Sequence, residues 1–297
     1  MFKKVLVALD FSAYSQKIFD CIPGIPGIEE VVLIHVVDAT HPSKLGWTHG
    51  PYIENAKILM AEKREALEHL GLKVHISVDV IVDVITQGNV SQAILDAAET
   101  HAVSLIVVGA RGINPIQELL LGSISSSVLR HSTTNVLVLH FRPGADEGNA
   151  PACPPDGTLF SKVLVPTDFS GPANDTFSFI VTIPAIREIV LLHVVNKGES
   201  HTEIEAAVTD AKTRLGEMKR ECEAAKIPAK IHIRIGDPTE MILSVAEEDD
   251  ISLLAISACG MGRVREMLLG STAFTVVRRT RKPVLVIRPG REHSSVP

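Results

Sequence analysis

Three glycines and a serine in the first half of the chain have a spacing that suits phosphate binding. Gly109 and Gly112 follow a short apolar run, and Gly122-Ser123 come after nine intervening residues. Glycine lets the backbone bend tightly and approach a ligand where a Cβ would intrude. A helix that begins at Ser123 would direct unpaired N–H groups and its dipole at a phosphate. Alternatively, Gly122 only ends a loop and Ser123 is an N-cap. The three glycines together favour a nucleotide site.

The chain also repeats itself. The segment KVLVALDFS, which contains Asp10, returns as KVLVPTDFS around Asp168, an offset of 158 residues. The segment LLLGS, which ends at Ser123, returns as MLLGS ending at Ser271, an offset of 148. Two further apolar blocks, VLIHVV and VLVL, recur in the same order, so the chain holds two copies of one domain. We expect the ten residues missing from the second copy to correspond to the turn-rich loop 41–51.

The repeat sets the predicted domain organisation. We expect domain 1 over residues 1–143, a linker rich in proline and glycine over 144–158, domain 2 over 159–290 and a tail over 291–297. In the first copy, apolar runs alternate with amphipathic stretches. The predicted strands are 5–9, 31–37, 74–82, 105–108 and 136–139, and the predicted helices are 14–21, 53–70, 91–100 and 123–130. This alternation predicts an α/β fold of two doubly wound, five-stranded parallel-sheet domains in tandem, Rossmann-like, with ligands beyond the carboxyl ends of the strands.

Composition argues against several classes of protein. The net charge of −6 over 297 residues disfavours nucleic-acid binding, because phosphate neutralisation needs a basic face. No apolar run approaches the roughly 20 residues of a membrane-spanning helix. The first residues lack a secretory signal, so we expect a cytoplasmic protein with no membrane partner. Four scattered cysteines without a CxxC pair predict neither a disulfide scaffold nor a zinc site, and no metal site is expected.

The spacing Gly-x2-Gly-x9-Gly-Ser, with an aspartate after the first strand, resembles the nucleotide-binding branch of the universal stress protein (UspA) family. The resemblance covers nearly the whole chain, twice, and implies a tandem protein of the adenine nucleotide alpha hydrolase-like fold. It also implies that the chain is a stress-response or signalling module that binds ATP or AMP, with or without Mg²⁺. The residues that it assigns to the ligand are Ala8, Asp10, Val36, Val108, Gly109, Gly112, Gly122, Ser123, Ile124 and Ser125. Asp10 has a competing interpretation as a cap of the strand-to-helix turn.

The second copy departs from this pattern. The residues that would form a second, weaker site are Pro166, Asp168, Val194, Ile256, Gly260, Gly270, Ser271 and Thr272. However, Ser257 replaces the first glycine and Cys259 stands where the first copy has Arg111. The hydroxymethyl group of Ser257 is expected to occupy the space where the backbone should meet the ribose. We therefore expect weaker or absent binding in domain 2.

Two other functions stay open. No nucleophile elbow or other catalytic constellation is present, so no catalytic residue is expected, although slow ATP hydrolysis is one alternative. The other is a dimerising scaffold that binds no nucleotide. The family resemblance implies that the last strands, 136–139 and 284–287, pair within one chain, with a homodimer as a further option. His35 and His193 lie inside apolar strands and are interpreted as core histidines with hydrogen-bonded rings.

Overall fold

The computed structural model describes residues 1–40, 50–69, 77–110, 121–140, 158–195, 200–260 and 269–288. Contacts divide the chain into two compact units, Met1–Pro155 and Asp156–Pro297, which are called domain 1 and domain 2. The predicted linker as far as residue 157 and the predicted tail lie outside the described residues. The exact domain boundaries therefore stay predictions.

Domain 1 is a five-stranded parallel sheet packed against four helices. Its strands are β1 (Lys4–Ala8), β2 (Glu30–Asp38), β3 (Ser77–Ile85), β4 (Leu105–Gly109) and β5 (Asn135–Leu139). Its helices are α1 (Ala13–Cys21), α2 (Gly50–His69), α3 (Val90–Thr100) and α4 (Ser123–His131), with a short 3₁₀ helix at Ile22–Gly24. The sheet order is β3-β2-β1-β4-β5. The order of connection reverses between β1 and β4, and open α/β sheets bind ligands beyond the strand ends at such a switch point.

The apolar runs of the sequence become strands that are buried along most of their length. Every residue of β4 is buried, and in β1 only the two terminal residues are partly exposed. Helices provide the cover, because α1 packs against β4, α2 against β3, and α3 against β2. Strands covered in this way need no polar alternation, which explains why the runs are continuously apolar.

Domain 2 repeats the same architecture. Its strands are β6 (Lys162–Pro166), β7 (Glu188–Val195), β8 (Ala229–Ile235), β9 (Leu253–Ser257) and β10 (Val284–Ile287). Its helices are α5 (Gly171–Val181), α6 (His201–Ala224), α7 (Pro238–Glu248) and α8 (Ser271–Arg279), and a 3₁₀ helix at Thr158–Phe160 precedes β6. The order β8-β7-β6-β9-β10 matches that of domain 1 strand for strand, and the described pairings within each sheet are parallel. The predicted fold class is therefore confirmed.

Two predicted element boundaries were wrong by three residues. Strand β3 continues to Ile85 rather than ending at 82, because its nine described residues pair with β2 from Glu30 opposite Ser77 to Asp38 opposite Ile85. The predicted start of this strand at 74 lies outside the described residues. Helix α2 begins at Gly50 rather than at 53, so the predicted loop 41–51 ends earlier than expected. Pro51 fits the first helical turn, where its missing N–H has no intrahelical partner. The rest of that loop, 41–49, lies outside the described residues.

A shielded carboxylate lies at the edge of the domain 2 sheet. Asp249 follows α7, and its side chain is only 7% exposed. Lys230 Nζ donates to Asp249 Oδ1 at 2.6 Å, and His232 Nε2 lies 2.8 Å from Oδ2. Burial by itself raises the pKa of the Asp249 carboxyl, but the hydrogen bonds from Lys230 and His232 and their charges outweigh it, so the net pKa is lowered. Both partners come from β8, so the cluster fastens the end of α7 to that edge strand.

The described helices and cysteines bear on the expected class of protein. None of the helices described there is long and apolar enough to cross a membrane. Cys21, at the end of α1, is disulfide-bonded, which the scattered cysteines did not predict. Cys222 and Cys259 are free thiols.

Candidate functional site

Asp10 lies in the turn between β1 and α1, at the carboxyl edge of the sheet. Its Oδ1 accepts hydrogen bonds from the backbone N–H of Ser12 at 3.0 Å and from the Ser12 hydroxyl at 2.6 Å. Ser12, and not Asp10, is the N-cap of α1, since its hydroxyl accepts from the N–H of Ser15. The second carboxylate oxygen of Asp10 receives no hydrogen bond from the described residues. Asp10 thus stabilises the turn through Oδ1, while Oδ2 has no hydrogen-bond partner among the described residues.

The predicted base pocket lies on the strands beside this turn. Ala8 ends β1, pairs with Ile34 of β2, and is partly exposed. Val36 lies two residues further along β2 and is also partly exposed. Val108 lies on β4, one residue beyond the described pairing of Val7 with Val107, and is 3% exposed. Neighbouring strands are about 4.8 Å apart, so these residues surround one short stretch of the sheet edge.

The glycine loop leaves β4 on the same edge and is closed at its base. Gly109 ends β4 and is buried, whereas Gly112 lies outside the described residues. The N–H of Gly122 donates to the carbonyl of Ala110 at 2.6 Å, so the loop begins and ends beside β4. The hydroxyl of Ser125 donates to the carbonyl of Gly109 at 2.5 Å. That hydroxyl, expected to face phosphate, is therefore already used within the protein.

The N-terminus of α4 lacks the side-chain cap that other helices have. Gly122 is its N-cap, with extended backbone angles, and no side chain accepts from its first N–H groups. The interpretation of Ser123 as an N-cap is therefore wrong, because Ser123 is the first helical residue and its side chain is exposed. Helices with a side-chain cap in the described structure are α1, α3, α5, α6 and α7, capped by Ser12, Asn89, Ser170, Ser200 and Asp237. Among the helices whose N-cap is described, only α4 and α8 have a glycine N-cap and therefore lack a side-chain cap.

Domain 2 brings its aspartate and its glycine loop together. Asp168 Oδ1 accepts from the N–H of Ser170 at 3.0 Å, as Asp10 does from Ser12. A Cβ built on Gly260 would lie only 2.5 Å from Asp168 Oδ2, so a side chain at this position would displace the carboxylate. Residues that are 92 positions apart in the sequence are thus in contact, and a glycine is what makes the contact possible. The equivalent glycine of domain 1 is Gly112.

The remaining predicted residues of domain 2 occupy equivalent places. Pro166 and Val194 are partly exposed at the ends of β6 and β7, and Ile256 is buried in β9. Gly270 is the N-cap of α8, and it donates from its N–H to Ala258 at 2.8 Å. Ser271 and Thr272 form the first turn of α8, where Ser271 is exposed.

The loop after β9 is fastened differently from the loop after β4. The Ser257 hydroxyl donates to the carbonyl of Cys259 at 2.7 Å, and Ser257 is 8% exposed. The Ser257 hydroxyl therefore points at the backbone of its own loop. We had expected it to point into the space for the ribose. Ala273 stands where domain 1 has Ser125, so the bond from helix to loop that Ser125 makes has no hydroxyl donor here. In the described residues, different side-chain hydrogen bonds therefore stabilise the two loops.

The sequence analysis did not predict the contacts between the histidines and the phenylalanines. His35 Nδ1 lies 2.8 Å from the carbonyl oxygen of Leu9, and its ring stacks on Phe11 with centroids 4.2 Å apart. The expectation of hydrogen-bonded histidines is confirmed, although His35 and His193 are only partly buried. The recurrence of Phe after each aspartate was visible in the repeat and was the available signal. Among the described residues, no cluster of three or more His, Cys, Asp or Glu side chains could hold a metal ion.

Comparisons with known proteins match both halves of the chain. The profile of the universal stress protein family matches residues 1–140 and 159–288. A universal stress protein of Mycolicibacterium smegmatis is 25% identical over 303 residues, covering 96% of this chain and 97% of that protein. Universal stress protein MJ0577 of Methanocaldococcus jannaschii is 26% identical over 155 residues, covering 44% of this chain and 96% of its own length. The crystal structure of a universal stress protein from Archaeoglobus fulgidus has a TM-score of 0.69 at 26% identity, covering 98% of this chain and 100% of that one.

Proposed function

Because the chain belongs to the universal stress protein family, with one family domain in each half, we propose that it is a stress-response or signalling module in which domain 1 binds an adenine nucleotide. The site is the carboxyl edge of the domain 1 sheet. The observation that carries the proposal is the uncapped N-terminus of α4, which lies on the same edge of the sheet as Oδ2 of Asp10, the carboxylate oxygen that Ser12 does not contact. One end of the site suits an anion and the other end suits a hydrogen-bond donor.

At the base end, Asp10 provides the acceptor. An ionised carboxylate only accepts hydrogen bonds, and the adenine amino group donates them. With Oδ1 committed to Ser12, the amino group would be received by Oδ2. Ala8 and Val36 present partly exposed apolar surface beside it, which suits a flat aromatic base. The backbone of Val36 would address the edge of the base.

At the phosphate end, the first turn of α4 provides donors. The N–H groups of Ser123, Ile124 and Ser125 have no intrahelical acceptor, and the positive end of the helix dipole favours anions. The exposed Ser123 hydroxyl adds a fourth donor. Gly109 ends β4 between the proposed base and phosphate ends, and its lack of a Cβ atom would leave room for the ribose. The proposed contact of Gly112 with the phosphates rests on the spacing of the glycines in the sequence. A Mg²⁺ ion bound with ATP would draw its ligands mainly from phosphate and water oxygens.

Domain 2 is proposed to bind more weakly. Ser257 places a side chain where domain 1 has Gly109, and Ala273 removes the hydroxyl that supports the loop from the helix. ATP and AMP share the adenosine and the α-phosphate that the described residues address, so both are candidate ligands. The cytoplasmic location, the pairing of the two domains and a homodimer stay predictions, and light scattering on the purified chain tests the last.

The test is direct and uses the whole chain. Protein purified without added nucleotide is denatured, and the released small molecules are identified by mass spectrometry. Isothermal titration of nucleotide-stripped protein with ATP and with AMP should then fit about one site per chain. Gly122→Val should remove that site, and any phosphate release from ATP should vanish with it. If stripped protein binds neither nucleotide at millimolar concentration, the proposal is wrong and the scaffold alternative gains support. Two equal sites would refute only the asymmetry between the domains.

A further inference from the structure

One imidazole in each domain contacts both neighbours of the aspartate. In domain 1, the His35 ring reaches the carbonyl of Leu9 before Asp10 and the ring of Phe11 after it. We propose that His35 and His193 are positioning residues that hold the aspartate turn in its ligand-binding form. This inference rests on the proposed function, because it assigns Asp10 a role in recognising the base.

The hydrogen bond fixes one side of the turn. A carbonyl oxygen can only accept, so at the 2.8 Å contact with Leu9 it is His35 Nδ1 that carries the proton. Protonation of the imidazole leaves that donor in place. The contact pins the last peptide before Asp10, where the chain leaves β1.

The stacked ring fixes the other side. Phe11 has a φ of 59°, a left-handed conformation that is unfavourable for a bulky side chain. Its ring lies 4.2 Å from the His35 ring at an interplanar angle of 29°. Conformations of this kind persist only when the surroundings enforce them, and they cluster at functional sites. If Phe11 relaxed to a negative φ, the carboxylate of Asp10 and its bond to Ser12 would be reoriented.

Domain 2 contains the same arrangement, which makes a chance contact a poor explanation. Phe169 has a φ of 61°, and its ring stacks on His193 at 4.4 Å and 22°. His193 Nδ1 lies 2.8 Å from the carbonyl of Thr167. The Arg214 guanidinium also lies 4.1 Å from the centre of the Phe169 ring. Phe169 and Arg214 also line an open cavity of about 250 Å³ between α5 and α6.

The experiment separates positioning from simple stabilisation. His35→Phe keeps a ring for stacking but removes the donor to Leu9. The matched control is His69→Phe, because the exposed His69 also directs Nδ1 at a backbone carbonyl, that of Glu65, at 2.7 Å but far along α2. Hydrogen exchange of nucleotide-free protein reports on the Ser12 amide, which donates to Asp10. Titration with ATP reports on the site.

We expect His35→Phe to speed exchange at Ser12 and to weaken ATP binding, each by about fivefold, the factor that one net hydrogen bond typically gives. Exchange in β4 should not change. His69→Phe should alter neither quantity. Phe11→Gly, which tolerates the positive φ without strain, provides a second variant that should also speed exchange at Ser12.

The inference is overturned if folded His35→Phe and Phe11→Gly proteins melt at lower temperature yet keep wild-type exchange at Ser12 and wild-type ATP affinity. That result would mean that His35 contributes to the stability of the domain but does not position the Asp10 turn. Faster exchange at Ser12 in a chain whose wild type binds no nucleotide would instead support the hold on the turn and refute the proposed ligand. The two failures are therefore distinguishable.

Discussion

The substitution Gly122→Ala tests the phosphate end of the site without disturbing the fold. Gly122 has a φ of −69° and a ψ of 163°, angles that alanine adopts freely. A Cβ built there would meet only the carbonyl oxygen of Ala110, at an ordinary contact distance of 3.5 Å, among the described residues. No other described atom lies within 4 Å of the new methyl group, which would stand at the N-terminus of α4. That is the place at which we propose that the phosphates lie.

The expected change in stability is small because two effects offset each other. Replacing glycine by alanine at a compatible position stabilises a protein by about 0.4–1 kcal/mol through the unfolded chain. Alanine is a poorer N-cap than glycine, by an amount of about the same size. The net change should lie within about 0.5 kcal/mol, which moves Tm by no more than about 2 °C for a domain of this size.

The expected change in binding is large by comparison. We expect the Kd for ATP to rise at least about tenfold, which corresponds to about 1.4 kcal/mol. The assay is isothermal titration of stripped protein, with thermal unfolding measured on the same samples. Gly171→Ala is the control, since no described atom lies within 4 Å of its built Cβ and it begins α5, a helix that belongs to domain 2 and has Ser170 as its side-chain cap. An unchanged Kd in a stable Gly122→Ala protein would refute phosphate binding at α4.

Gly270→Ala provides the matching change in domain 2. Gly270 is the N-cap of α8, with a φ of −61° and a built Cβ 3.4 Å from Ala258 O. If Gly270→Ala weakened ATP binding while Gly122→Ala did not, the stronger site would belong to domain 2. The proposed order of the two domains would then be reversed.

Two further predictions concern stability. Ser125→Ala should lower the free energy of unfolding by about 1 kcal/mol in urea denaturation, because the buried carbonyl of Gly109 loses its hydroxyl donor; no change would mean that the bond contributes nothing net. Asp249 has a folded-state pKa below its ordinary value, so its contribution is present above about pH 4 and is lost as the pH falls through the lowered pKa. Urea denaturation at a series of pH values below pH 4 measures this loss. The free energy of unfolding should fall less steeply with pH in Asp249→Asn than in wild type, and an equally steep fall would show that the Asp249 carboxylate does not contribute.

The fold could be predicted from the sequence because its signals are local. Continuous apolar runs between amphipathic stretches are typical of strands buried on both faces, and the repeat requires the same solution twice. The predicted end of β3 was wrong by three residues, because that limit is set by pairing with β2, which continues to Asp38 opposite Ile85, and not by the pattern of β3 itself. Likewise, α2 began three residues early, since the glycine and proline that suggest a loop also suit a first helical turn.

The site was predictable in part. The spacing of the glycines and the recurring aspartate indicated which loops to examine. However, the sequence left open whether Ser123 caps α4, and the structure assigns the cap to Gly122. The use of the Ser125 hydroxyl within the protein could not be read from spacing, because its acceptor is a backbone carbonyl 16 residues away. The inward turn of the Ser257 hydroxyl was likewise missed.

The sequence by itself determined that two copies of a parallel α/β domain exist and that glycines follow the fourth strand of the first. Those properties depend on residue type and order, which burial and backbone freedom translate directly into structure. Only the tertiary structure decided which donors and acceptors are already satisfied. It left the first turn of α4 uncapped and stacked Phe11 on His35. Hydrogen bonds and ring contacts act over only a few ångströms, so they exist only once folding has brought distant segments together.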